Sequence, residues 1–156
     1  MCFQVLSVEP DNLRYVYKVV RETSKKLQFS SRYRNRHDRS TVHLDPDSPE
    51  SCEYLLGRET RVEPSTYKPR VYDQSGPGLY VYETLESAEY SDAGLRNRLQ
   101  FNTPYRFDLA VLLCKVKPKD FICKGRPVGY SKGIARVYLA VTPIEVVLST
   151  RRTPRA

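Results

Sequence analysis

Residues 75–90 read SGPGLYVYETLESAEY, and the rest of the fold is organised around this stretch. Gly76-Pro77-Gly78 is a strong chain breaker, and the run Leu79 to Tyr82 that follows it is rich in β-forming residues. Thr84 stands where a helix N-cap belongs, and Glu86 lies in the first turn, where the helix dipole favours an anion. Because phosphate cradles lie between a strand and a helix, glycines ahead of the strand indicate architecture rather than a ligand site.

Strand patterns dominate the remainder of the chain. Residues 14–21 alternate with a period of two, whereas residues 107–116 are continuously apolar and predict a central strand that is covered on both faces. Residues 134–141 predict a late strand, and the Gly/Pro/Lys-rich residues 124–133 predict a loop. We therefore predict an α+β fold, a mostly antiparallel sheet of about seven to nine short strands with one main helix near residues 84–99.

The positive charge of the chain is concentrated at one end. Its 156 residues favour a single domain over residues 1–150, followed by a basic tail at 151–156. Residues 1–103 hold 15 basic and 15 acidic residues, so the remaining 11 of 26 basic and 3 of 18 acidic residues lie in 104–156. A one-sided field of this kind favours an anionic partner, such as an acidic protein surface, a larger assembly or a nucleic acid.

The basic residues that we expect to contact such a partner fall in three segments. They are Lys115, Lys117, Lys119, Lys124 and Arg126, then Arg151, Arg152 and Arg155 in the tail, and Arg32, Arg34 and Arg36 in the run SRYRNRHDR. In an extended conformation this run would place arginines on one face and aromatic or polar residues on the other, which suits phosphates and stacked bases. The run also fits a solvent-exposed loop, because no apolar residue anchors it.

The cysteines and the apolar runs of the sequence indicate the cellular compartment. The four cysteines include no Cys-x-x-Cys pair, so we expect no metal site and no cofactor. Cys114 lies within an apolar strand and is predicted to be a buried free thiol, which favours a reducing, intracellular compartment. Residues 1–6 lack the features of a signal peptide, and the longest apolar run, residues 109–114, is far too short to span a membrane.

Several motifs between residues 14 and 141 follow the order of a known group of domains. They are Tyr17-Lys18-Val19-Val20, Leu56-Gly57-Arg58-Glu59-Thr60, the run from Gly78 to Ala88, and Leu112-Leu113-Cys114-Lys115-Val116. In these motifs the chain resembles short, uncharacterised domains of large DNA viruses, phages and bacteria, sometimes attached to pentapeptide repeats. The resemblance implies no established activity, and Ser75 and Tyr80 stand where that group usually has Cys and His. It does imply a viral or phage particle as a setting.

A catalytic alternative involves Tyr17, Ser30 and Glu145. With an early Arg-bearing strand, a Ser-Ser pair and a late-strand Glu, the chain also resembles ADP-ribosyltransferase-like folds, in which a strand Glu orients the ribose. That resemblance implies an NAD⁺ site near Tyr17 and Ser30, although the paired Glu motif of those enzymes is absent. Alternation places Glu145 outward, as for a solvated edge residue. The only two histidines stand in no nucleophile–base motif.

The sequence as a whole favours a small, non-enzymatic binding or assembly module. We expect it to be a structural component of a viral or phage particle that docks through its basic C-terminal face on an acidic protein surface or a larger assembly. The alternatives are an ADP-ribosyltransferase-like NAD-binding enzyme and a nucleic-acid-binding protein.

Overall fold

The fold is given by a computed structural model. It describes residues 3–22, 28–31, 53–62, 78–91, 95, 96, 99, 108–127 and 133–150. Ten strands lie within the described residues. They are β1 (Phe3–Ser7), β2 (Tyr15–Glu22), β3 (Gln28–Ser31), β4 (Glu53–Leu55), β5 (Thr60–Arg61), β6 (Leu79–Tyr82), β7 (Leu109–Lys115), β8 (Phe121–Pro127), β9 (Ala135–Tyr138) and β10 (Ala140–Ser149). The helix α1 is Leu85–Ser91, and one turn of 3-10 helix covers Pro118–Asp120.

All strand pairs in the described residues are antiparallel. Eight strands follow one another in the order β1-β8-β9-β6-β2-β7-β10-β5, while β3 pairs with β2 and β4. β7 pairs with one edge of β2 over residues 15–21. The other edge of β2 is shared by two strands: β6 pairs through Tyr82 opposite Tyr17, and β3 pairs opposite residues 20–22. The predicted antiparallel, sheet-dominated architecture is confirmed, and the helix is a minor part of it.

The sheet curls strongly because of how β9 and β10 are joined. Leu139 alone separates these strands, although they hold the third and seventh places in the strand order. Three strands, β6, β2 and β7, lie between β9 and β10 in the sheet. The sheet must therefore curve until the end of β9 and the start of β10 are close enough for one residue to join them. The resulting inner face carries the larger core, with Val16, Val20, Leu112 and Tyr138 among its buried members.

The helix covers part of the outer face. Ala88 packs with Leu95, Val19, Leu109 and Val111 in a second core that is distinct from the inner one. β7 is thus buried on both faces, as its continuous apolar run predicted, because Leu112 points inward and Val111 outward. No helix in the described part of the chain is long and apolar enough to cross a membrane.

The central strand and helix form where the sequence places them, while Gly76 and Pro77 of the predicted turn lie outside the described residues. Gly78, at φ +154°, is buried against Val137 and Ile122, and only a residue without Cβ fits there. The Thr84 hydroxyl accepts a hydrogen bond from the Ser87 backbone N–H at 3.1 Å, which is the predicted N-cap.

One boundary prediction is wrong, and another agrees with the described residues. The predicted loop at 124–133 begins too early, because β8 extends to Pro127 through pairing with both β1 and β9. The helix predicted near 84–99 agrees with the described residues: α1 is Leu85–Ser91, and Leu95, Arg96 and Leu99 are helical as well.

Candidate binding surface

Three of the predicted basic residues emerge together where β7 leaves the core. Lys115, Lys117 and Lys119 are all exposed, whereas Val116 between the first two is buried at 2% exposure. The backbone of Lys117 is extended, with φ −118° and ψ 139°. Alternation along an extended segment therefore places Lys115 and Lys117 on the same side, about 7 Å apart. This arrangement confirms the prediction for Lys115 and Lys117; Lys119 is exposed too, but it lies in the 3-10 turn, where the alternation of an extended chain ends.

The start of β2 joins the same site. The Val116 backbone N–H donates to the Arg14 carbonyl at 2.9 Å, and Tyr15 is the antiparallel partner of Lys115. Arg14 is exposed, and Tyr15 retains 51% exposure. We call Arg14, Tyr15, Lys115, Lys117 and Lys119 the basic corner. Arg14 and Tyr15 were not singled out from the sequence, because their proximity depends on the β2–β7 register.

The charges of the basic corner are not neutralised within the described structure. None of its four cations forms an ion pair with another described residue. The neighbouring carboxylate of Asp120 is buried at 5% exposure and binds the guanidinium of Arg61 at 3.1 Å. Hydrogen bonds to Glu59 and then to Asp120 raise the pKa of Arg61. Asp120 is therefore already occupied and offers the lysines little compensation.

A buried ion-pair cluster anchors the loop that leads to the basic corner. The side chain of Arg136, which is 4% exposed, donates to Asp11 at 2.5 and 2.8 Å and to Glu83 at 2.7 Å. Asp11 also accepts the backbone N–H of Leu13 at 3.1 Å. Because Asp11 lies in the β1–β2 loop, these bonds hold the part of the loop that immediately precedes Arg14.

The electrostatics of this cluster match its geometry. The hydrogen bond from Arg136 lowers the pKa of Asp11 to about 2, and Lys124 contributes to the same shift. Burial alone would lower the pKa of Arg136, but hydrogen bonds to Asp11, Glu83 and Tyr138 raise it overall. The Arg136 guanidinium also lies 5.6 Å from the centre of the Phe121 ring. Arg136 is thus a fixed internal cation that is not available to a partner, although it belongs to the basic surplus of the sequence.

Two further predicted contact residues lie on β8, away from the basic corner. Lys124 is half-buried beside Ser7 and Arg136, and Arg126 is exposed opposite Gln4. Arg126 lies five positions along the strand from Phe121, which corresponds to about 16 Å. The basic C-terminal face predicted from the sequence is therefore divided in the structure. The remaining candidates lie outside the described residues. They are Arg32, Arg34, Arg36, Arg151, Arg152 and Arg155.

The residues of the catalytic alternative are only partly brought together. Tyr17 and Glu145 are both cross-strand partners of Leu113, so they share a face with their backbones about 10 Å apart. Ser30 pairs with Arg21, which lies four residues along β2 from Tyr17, or about 13 Å. Glu145 is exposed, as alternation predicted, and Tyr17 is half-buried beside the outer core. The three residues do not converge on one point.

The inner face holds one cation that the sequence analysis missed. Lys18 is 3% exposed; its Nζ donates to the Tyr80 carbonyl at 2.7 Å and lies 5.7 Å from the centre of the Tyr54 ring. The sequence did indicate that Lys18 points into the core, because alternation in β2 places it on the same face as Val16 and Val20.

Other reactive groups in the described residues are poorly placed for chemistry. Cys114 is fully buried, and burial raises the pKa of its thiol to about 12, so it is a protonated core residue as predicted. Within the described part of the chain, no three His, Cys, Asp or Glu residues are grouped so that they could hold a metal ion.

Among the described residues, the basic corner is therefore the surface whose exposed charges are best suited to bind a partner. A scan of protein-family models, a search of curated proteins and a search of solved structures each found no match for this chain.

Proposed function

We propose that this protein is a non-enzymatic binding module that docks on an anionic macromolecular partner through the basic corner. The observation that carries this proposal is the proximity, around the start of β2 and the end of β7, of Arg14, Lys115, Lys117 and Lys119, which are exposed and form no ion pair with a described residue. Like charges held this close repel one another. An anionic partner removes that repulsion and gains several favourable contacts at once.

The rigidity of the site supports the same function. Lys115 ends a strand that is paired on both edges, by β2 and by β10. Arg14 is held by the Val116 N–H, and its loop is anchored by the Arg136–Asp11 pair. Because the backbone of these residues is already fixed, little backbone entropy is lost on binding, and the charges act as a preorganised set.

The setting that we propose is a larger assembly. The motif resemblance of the Tyr17 and Gly78 segments to viral and phage domains suggests a particle component, with an acidic protein surface or nucleic acid as the surface contacted. The separation of Ser30 from the Tyr17–Glu145 row gives the NAD-binding alternative less support than the binding function.

A charge-reversal experiment tests the proposal. The variant in which Lys115, Lys117 and Lys119 are replaced by Glu is compared with wild type for retention on immobilised heparin, a generic polyanion. We expect the salt concentration needed for elution to fall sharply, because three cations become anions at one site.

The matched control places a similar charge change elsewhere. Lys124→Glu combined with Arg126→Glu alters charges on β8, and we expect a much smaller decrease in retention. Circular dichroism and urea unfolding establish that both variants fold. Equal decreases in the two variants, or no decrease in the first, would show that the corner is not the binding site.

A further inference from the structure

We infer that the anionic partner of the basic corner is a single-stranded nucleic acid, an inference that rests on the proposed function. The main observation behind it is that an exposed aromatic ring lies directly across the strand pair from an ammonium group that forms no ion pair with a described residue. Tyr15 is 51% exposed, and it is the direct cross-strand partner of Lys115. Side chains opposite each other in an antiparallel pair have Cβ atoms about 5 Å apart. A base stacked on the ring would bring its phosphate close to the lysine.

The spacing of the lysines extends this match along a strand of nucleotides. Lys115 and Lys117 lie about 7 Å apart on one side of the extended segment. That separation is comparable to the distance between successive phosphates in an extended single strand. Lys119 adds a further exposed cation in the 3-10 turn that follows, and Arg14 immediately precedes Tyr15, with its carbonyl bonded to the Val116 N–H. The corner thus offers one stacking platform beside a row of cations, the combination that single-strand-binding proteins use.

Tyr15 distinguishes a single strand from the other polyanions. In a duplex the bases are stacked on each other, so their faces are closed to an aromatic side chain on a sheet surface. An acidic protein would pair with the lysines, but its carboxylates do not come with a planar ring at regular spacing to stack on Tyr15. Unpaired bases use both halves of the corner, because each nucleotide carries a planar face and an anionic phosphate.

The anionic side chain of Glu145 marks one boundary of this surface. Glu145 is exposed and lies opposite Leu113, two residues from Lys115 on the same face of β7. A carboxylate there repels phosphate, so the bound strand runs along the Lys115–Lys119 side and away from β10. Neutralising Glu145 without changing its size should therefore strengthen binding.

Fluorescence anisotropy with a labelled oligothymidylate of about 12 nucleotides, a length within the range that single-strand-binding folds cover, tests the inference. Tyr15→Ala should weaken binding about tenfold, the effect typical of removing one stacked base, whereas Tyr15→Phe keeps the ring and should bind as wild type. Lys115→Ala with Lys117→Ala should weaken binding and reduce the log–log salt slope by about 0.7 for each phosphate that is no longer neutralised. Glu145→Gln should bind more tightly, and Arg126→Ala should leave affinity unchanged.

The outcomes separate this inference from the proposed function. Equal affinity of Tyr15→Ala and wild type, or equal affinity for the matching duplex, would overturn the single-strand inference. If the oligonucleotide is not bound while heparin retention still depends on Lys115, Lys117 and Lys119, the inference fails and the proposed function stands. If neither probe is bound, both fail.

Discussion

Arg136 and Asp11 lie 125 positions apart in the sequence, yet two nitrogens of the guanidinium contact two oxygens of the carboxylate at 2.5 and 2.8 Å. A third nitrogen of Arg136 binds Glu83 at 2.7 Å. One buried side chain on β9 therefore connects the β1–β2 loop with the residue that precedes the Thr84 cap of α1. This cluster ties the loop bearing Arg14 to the central strand and helix of the fold.

Replacing Arg136 by Met should destabilise the protein by about 3 kcal/mol, since removal of one partner from a buried ion pair leaves uncompensated charge. Asp11 and Glu83 retain 42% and 31% side-chain exposure and can recover some water, which places the effect at the low end for such changes. Urea unfolding, followed by circular dichroism, measures the free energy of unfolding. As the matched variant, Asp11→Asn keeps one acceptor for Arg136 and should cost only about 1 kcal/mol. Equal destabilisation by the two variants would contradict the central role of Arg136.

The stability contributed by Asp11 should depend on pH in a defined window. Its pKa is about 2 in the folded protein, against 3.8 as the ordinary value. Because the folded pKa is depressed, this contribution is fully present above about pH 4 and is lost as the pH falls toward 2. The difference in unfolding free energy between wild type and Asp11→Asn should therefore shrink over this window. A difference that stays constant from pH 5 to pH 2 would show that the carboxylate gains nothing from Arg136.

Local features of the fold were predictable from sequence where one physical signal dominated. The Thr84 cap follows from the hydroxyl preference at helix N-termini, and the double burial of β7 follows from a non-alternating apolar run. The exposure of Lys115 and Lys117 follows from a period of two at the end of that run. Each of these signals is contained in a few adjacent residues.

The arrangement of the binding surface needed long-range information. The proximity of Tyr15 to Lys115 depends on the register between β2 and β7, whose residues are far apart in the chain. The internal role of Arg136 depends on Asp11, which no local pattern connects to it. Charge counting therefore assigned Arg136 to the basic surplus, and treating residues 124–133 as a loop concealed the position of Lys124 and Arg126 on a paired strand.

Gly78 should be much less replaceable than Gly57. A Cβ at Gly78 would lie 2.2 Å from Cγ1 of Val137 and 2.9 Å from Cδ1 of Ile122, in a buried position. Overpacking together with the unfavourable φ should make Gly78→Ala cost about 3 kcal/mol. Gly57 has φ +80° and open space around the added methyl, so Gly57→Ala should cost only about 1 kcal/mol of backbone strain. Thermal unfolding of the two variants checks the order, and a larger destabilisation at Gly57 would contradict it.

The basic corner should show opposite effects of one substitution on stability and on binding. Lys117 is exposed among like charges and forms no ion pair with a described residue, so Lys117→Gln relieves repulsion and should stabilise the fold by about 0.5 kcal/mol. The same change should lower the salt concentration for elution from heparin.

Lys124 provides the matched control, because it lies near Asp11 and lowers the pKa of that carboxyl. Lys124→Gln should therefore reduce stability slightly, with little change in heparin retention. Urea unfolding at low ionic strength, where exposed charges interact most strongly, measures both differences. If Lys117→Gln reduced stability and kept full retention, Lys117 would be part of the scaffold and would have no place in the binding surface.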